Sequence, residues 1–159
     1  MSMIFFLTGD RQIGKSTLIR QMIEEQRAKK PDLKIGGFYT KPDGEDIRMF
    51  YAGNPDKSFI VGKRKICGYE EAFNTEGVAL LESDSTKKAD LIIMDELGWM
   101  ESSAAEFSKA VLETLDYASK KNIAVFGVLR KDCNSDLINS IKKRSDVQIK
   151  SLSRLQPKA

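Results

Sequence analysis

The chain has 159 residues, 41% hydrophobic and 31% charged, a length and composition that suit one compact domain and exclude disordered and fibrous classes. Its net charge is +3, from 26 Lys and Arg against 23 Asp and Glu; so small an excess does not argue for nucleic acid, although it is compatible with an anionic ligand. There is no histidine, so the commonest metal ligand and the commonest general base are missing, and acid–base chemistry must come from carboxylates, lysines or water.

In chain order, residues 3–7 are an apolar run of strand length. The run is too short for a signal-peptide core and lacks a charged segment before it, and no later stretch approaches bilayer-spanning length. A cytoplasmic protein without membrane contact is expected. Cys67 and Cys133, far apart and without a CxxC companion, are expected to be free thiols.

The first strand runs directly into Gly9-Asp10-Arg11-Gln12-Ile13-Gly14-Lys15-Ser16, an ungapped match to the phosphate-loop pattern G-x-x-x-x-G-K-[ST]. A loop that wraps a polyphosphate must turn successive backbone N–H groups inward, which favours glycine where the chain bends tightly or approaches closely. A helix is expected over 15–30, with Leu18, Ile19, Met22 and Ile23 on one face and Pro31 stopping it. Its positive N-terminus adds to anion binding. Lys15 can then reach the β- and γ-phosphate oxygens, and the Ser16 hydroxyl can ligate Mg²⁺.

Residues 35–68 differ in character. Pro42-Asp43-Gly44 and Asn54-Pro55-Asp56 mark turns, and Ile47, Met49 and Tyr51 alternate with Asp46, Arg48 and Phe50. The expectation is a small antiparallel insert at one edge of a parallel core. Residues 72–81 carry a helical pattern interrupted at Gly77.

Residues 91–94 are continuously apolar, as in a strand buried on both faces, and end in Asp95-Glu96. A nucleoside-triphosphate site needs an acid for its metal at the end of such a strand. Asp95 fits that need. Glu96, expected on the other side of an extended strand, can polarise an attacking water. Asp95-Glu96-Leu97-Gly98 also fits the D-x-x-G pattern of GTPases, but the N-K-x-D guanine motif that should accompany it is absent from the chain.

A helix follows over 104–121, with Phe107, Val111, Leu115 and Ala118 at helical spacing and Ser103-Ala104-Ala105-Glu106 as a capping box. Residues 123–129 form the next buried strand, which completes a βαβ unit. Asn134 or Ser135 caps a helix carrying Leu137, Ile138 and Ile141, and residues 147–152 form the last strand. The architecture expected is an α/β sandwich of one domain with a mostly parallel sheet.

Gly9–Thr17, Gly37-Phe38-Tyr39-Thr40 and Asp95-Glu96-Leu97-Gly98-Trp99-Met100-Glu101 occur in that order. Together they resemble the small nucleoside-triphosphatase family known from thermophiles and also as cancer-related NTPase, whose third block reads D-E-[IL]-G-x-M-E. Cys67-Gly68-Tyr69 is similar to the family's V-G-x-Y stretch. The resemblance implies a P-loop NTPase three-layer sandwich and Mg²⁺-dependent hydrolysis of nucleoside triphosphates such as ATP and GTP, with loose base preference. It makes residues 9–17 the nucleotide loop, Lys15 the phosphate lysine and Ser16 a Mg²⁺ ligand. By the same resemblance Thr17 is expected near the α-phosphate, Asp95 as the Walker B acid, Glu96 as the base and Glu101 near the site. The chain departs from the family at Trp99, where lysine is usual, in a shortened region between Tyr69 and Asp90, and in lacking a C-terminal N-R pair.

A separating γ-phosphoryl group needs positive charge. Arg11, inside the loop, is the first candidate for a cation supplied in cis, and Arg130 the second; Lys63-Arg64-Lys65 reads more readily as a solvated edge. Trp99 and Phe38 either stack on a base or pack against the sheet, and the resemblance sets Tyr39 and Thr40 beside the triphosphate. Two other functions share the same loop. One is a small-molecule kinase; the other is a nucleotide-dependent switch that uses residues 35–68 and Lys142-Lys143-Arg144 as contact surfaces.

Overall fold

The computed structural model describes residues 3–9, 15–64, 67–98, 103–131 and 135–152. The chain begins with β1 (Ile4–Gly9) and α1 (Lys15–Lys29), followed by β2 (Ile35–Asp43), β3 (Asp46–Tyr51), β4 (Asn54–Lys63) and β5 (Cys67–Gly68). Three short helices come next, α2 (Glu70–Ala72), α3 (Val78–Glu82) and α4 (Asp84–Lys87), with a π-helical turn at Phe73–Gly77 between the first two. The second half is β6 (Leu91–Leu97), α5 (Ala105–Lys121), β7 (Ala124–Arg130), α6 (Asp136–Lys142) and β8 (Val147–Leu152).

The eight described strands form one sheet in the order β5-β4-β3-β2-β6-β7-β1-β8. From β2 through β8 along that order every pairing is parallel, and the β2-β3-β4-β5 edge is antiparallel. This is the α/β fold expected, a mostly parallel sheet with an antiparallel edge. β2 joins the two regimes, because its first half pairs with β6 and its second half with β3.

Alternating strand residues divide the core between two faces. Leu7, Ile93, Phe126 and Val128 pack with Ile19 of α1, with Leu18, Met22 and Ile23 at its margin. On the opposite face Phe6, Ile92, Met94 and Val125 pack with Phe107, Val111 and Leu115 of α5 and with Leu137, Ile138 and Ile141 of α6. Each fully buried side chain among these, only a few per cent exposed or less, contributes about 1.5–3 kcal/mol relative to exposure.

Three expectations need correction. The helix through residues 72–81 is not broken at Gly77; it continues through the π-helical turn. A Cβ at Gly77 would stand 2.8 Å from Phe107 Cδ1, so the missing side chain lets this turn press against the ring. The capping box before α5 does not form. Ala104 holds the cap position, and the Phe107 N–H is satisfied by Asn74 Oδ1 at 3.0 Å from the π-helical turn. The reversal expected at Asn54-Pro55-Asp56 falls earlier, at residues 52–53, where the Ala52 N–H donates to the Gly37 carbonyl at 3.0 Å. Pro55 is tolerated in β4 because the β3–β4 register shifts between Phe50 and Tyr51, which relieves it of a ladder donor. Of the two readings left open for Phe38, packing is the one the fold adopts: the side chain is fully buried, with its ring centroid 5.7 Å from that of Phe107.

Two other sequence signals, the Gly44 turn and the Ser135 cap, formed as expected. Gly44, at φ +63, turns β2 into β3 by a two-residue connection between paired Asp43 and Asp46. Ser135 caps α6, its Oγ accepting from the Ile138 N–H at 3.1 Å. Asn122 ends α5 in the left-handed conformation at φ 58, which asparagine tolerates.

Two charged junctions fix the loops beneath the sheet. The Lys34 backbone N–H donates to Asp90 Oδ2 at 2.9 Å, with Lys30 Nζ 3.2 Å from Oδ1, and this backbone hydrogen bond above all holds the Asp90 carboxyl below its usual range. Arg144 donates from Nε and Nη2 to Asp146 at 2.9 and 2.7 Å and pairs through Nη1 with Asp116 of α5 at 2.8 Å. Its hydrogen bonds to Asp146 lower that carboxyl and raise the guanidinium. Arg144 is thus tied to both α5 and the turn before β8. Cys67 is an exposed free thiol, and Cys133 lies outside the described residues. Among the described residues no helix is long and apolar enough to cross a membrane.

Candidate active site

The phosphate-loop match bridges the end of β1 and the start of α1. Asp10, Arg11, Gln12, Ile13 and Gly14 lie outside the described residues, as do Trp99, Met100, Glu101 and the side chain of Ser16. The flanks of the loop are described. Lys15 is the first residue of α1, only 9% exposed, and its Nζ donates to the Gly9 carbonyl at 2.7 Å. The ammonium is therefore folded back across the two ends of the loop. Thr17 is exposed in the first turn. That turn contains no acidic residue, whereas the last carries Arg27 and Lys29, so the helix field at its N-terminus is left open to an anion.

Asp95 and Glu96 stand near the end of β6, both partly buried. The strand between them and the loop is β7, so β6 and β1 are two strand spacings apart, roughly 10 Å. Strand ends at that separation can hold opposite sides of one polyphosphate.

The local register corrects the expectation for Glu96. Met94 pairs with Gly127 and Leu97 with Leu129, so three steps along β6 match two along β7. Met94 and Leu97 both pack in the α5-side core, leaving Asp95 and Glu96 together opposite Val128, which faces α1. This two-against-one count is a β-bulge, a device that re-aims side chains beside sites. It removes the strict alternation that would have sent Glu96 to the opposite face from Asp95. The Asp95–Glu96 peptide is cis.

Tyr39 stands beside Asp95 in the β2–β6 register. Its ring stacks on Phe50 with centroids 5.1 Å apart, and Lys41 Nζ lies 5.2 Å from its centroid. The preceding N–H of Gly37 donates to the buried Thr86 Oγ1 at 3.1 Å, which itself donates to the Leu80 carbonyl at 3.0 Å. The Gly37–Thr40 block is thus anchored through α4 as well as through the sheet. Arg64 is exposed, with its Nη1 donating to the Gly44 carbonyl at 3.4 Å. Arg130 closes β7 between the two halves of the site, one strand from each.

The segment 47–156 matches a family model described as NTPase. The chain belongs to this nucleoside-triphosphatase family. The nucleoside-triphosphatase THEP1 of Metallosphaera sedula is 33% identical over 114 residues, covering 67% of this chain and 61% of that protein. This chain therefore spans about three fifths of that relative's length. The THEP1 protein of Methanocaldococcus jannaschii is 33% identical over 129 residues, 71% of this chain and 72% of that one. The family model begins downstream of the phosphate loop. A mouse relative named cancer-related nucleoside-triphosphatase homolog takes the loop in: 29% identical, it covers 97% of this chain and 90% of its own. The crystal structure of THEP1 from the hyperthermophile Aquifex aeolicus superposes with a TM-score of 0.72 at 20% identity, over 96% of this chain and 91% of that one. That likeness establishes the fold.

Proposed function

We propose that the protein hydrolyses nucleoside triphosphates to diphosphate and inorganic phosphate, with Mg²⁺ bound and with loose preference for the base. The observation that carries this reading is Asp95 and Glu96 sharing one bulge two strands from the phosphate loop. One carboxylate is enough to hold a metal; the second is then left for water. Membership of the nucleoside-triphosphatase family supports the same reading.

The donors on offer suit magnesium. The Ser16 hydroxyl and the Asp95 carboxylate are hard oxygen ligands at the head of α1 and near the end of β6, a set that leaves room for phosphate oxygens and waters. When bound, Mg²⁺ neutralises charge on the β- and γ-phosphate oxygens. Residues 9–17 cradle the phosphates, and Lys15 exchanges the Gly9 carbonyl for phosphate oxygens. Glu96 orients a water and accepts its proton. The water oxygen forms a bond to the γ-phosphorus, the bond from γ-phosphorus to the bridging oxygen breaks, and its electron pair leaves with the diphosphate.

The test is phosphate release from ATP, GTP, CTP and UTP with no acceptor present, in Mg²⁺ and again in excess chelator. Release from all four in Mg²⁺ and near silence in chelator is expected. Release only on addition of a phosphoryl acceptor would instead make the protein a kinase.

A further inference from the structure

Gly98 follows β6 directly, and the place its side chain would occupy is taken by Arg130. A Cβ built on Gly98 would lie 2.7 Å from Arg130 Cβ, 2.9 Å from Cδ and 3.4 Å from Cγ. The aliphatic stem of Arg130 therefore lies across the backbone just beyond Asp95, Glu96 and Leu97. Its Cα is in register with Gly9, where β1 enters the phosphate loop. Phe126 and Val128 of β7 pack toward α1, and Leu129 packs toward α5. Alternation then sends Arg130 out on the α1 side, the side of Lys15. Arg130 thus stands between the strand that enters the phosphate loop and the strand that carries the two carboxylates.

We propose that Arg130 is the cation that contacts the γ-phosphoryl group during hydrolysis, and that Gly98 is the seat that positions it. The assignment rests on the hydrolytic reading above. It gives the role to the second of the two arginines marked in the sequence. A planar guanidinium can donate to two oxygens of the phosphoryl group at once, and a fixed stem means little reorganisation as charge develops. Gly98 serves this by having no Cβ. A methyl group there would meet the root of the Arg130 side chain, which cannot swing away as a flexible tip could.

The experiment is steady-state ATP hydrolysis by the full chain, with ADP affinity and the thermal midpoint measured for each variant. Arg130→Ala and Arg130→Gln are expected to lower kcat about 10²- to 10³-fold, the usual loss on removing one preorganised transition-state donor. KM, ADP affinity and the thermal midpoint should stay near wild type. Both variants should also lose the tight binding of ADP with aluminium fluoride, a mimic of the transferring group, which a merely structural residue would not affect. Arg130→Lys should recover part of kcat. Gly98→Ala should lower kcat while leaving ADP affinity unchanged, and Gly98→Ala combined with Arg130→Ala should be no worse than Arg130→Ala alone. Should Gly98→Ala fold poorly, the Arg130 variants decide the question by themselves. Wild-type kcat in Arg130→Ala and Arg130→Gln, with Glu96→Gln inactive, overturns this assignment and leaves the hydrolytic reading standing. An equal loss that appears only in Arg11→Ala overturns it as well. Wild-type kcat in both Glu96→Gln and Lys15→Ala would overturn the hydrolytic reading and this assignment with it.

Discussion

Glu96→Gln is expected to lower turnover by about 10²- to 10⁴-fold, the range contributed by a positioned general base. Glutamine keeps the size, the partial burial and most of the hydrogen-bonding reach of the side chain, so the bulge at Asp95–Glu96 and the packing of Met94 and Leu97 on either side should survive. What is lost is the capacity to take a proton from water. Because the residue acts on water rather than on the nucleotide, affinity for ATP should remain within about a factor of three of wild type. Titration of nucleotide beside single-turnover phosphate release separates the two quantities. Unchanged turnover would remove Glu96 from the chemistry. A matching fall in affinity would make it a binding residue.

Lys15→Ala should act on the other quantity. The side chain is buried at the head of α1, and its ammonium now rests on the Gly9 carbonyl, an arrangement that keeps the charge beside the loop. Hydrogen bonds from a charged donor contribute about 1.5–3 kcal/mol net, so affinity for ATP should weaken roughly 10- to 100-fold. The loss should be smaller for AMP, which lacks the phosphates that Lys15 reaches. Equal affinity in wild type and variant by calorimetric titration would refute the role. The fold should tolerate the change, because alanine is the best helix former.

The parallel core was legible because its signals are local and strong. Residues 91–94 and 123–129 are continuous apolar runs of strand length, and the helix between them repeats Phe107, Val111, Leu115 and Ala118 at one spacing. The candidate site stood out in the sequence for the same reason. The loop match and the two acids are contiguous strings whose chemistry depends on residue type.

What escaped the sequence depends on distant partners. Asn74 satisfies the N-terminus of α5 from 33 residues away, so a nearby serine and glutamate looked like a cap that the chain does not use. Gly77 looked like a helix break because its real neighbour, the ring of Phe107, is remote in sequence. The direction of Glu96 followed from strict alternation, and the extra residue in β6 is visible only against β7. The same holds for Arg130. Its place across Gly98 is set by the pairing of two strands and leaves no motif in either.

On the proposed hydrolysis, water and no other acceptor attacks the γ-phosphorus. This is tested most directly by running ATP hydrolysis in heavy-oxygen water with no acceptor present and weighing both products. The account predicts one solvent oxygen in each inorganic phosphate and none in ADP. Solvent oxygen in ADP, or no phosphate at all until an acceptor is added, would contradict it.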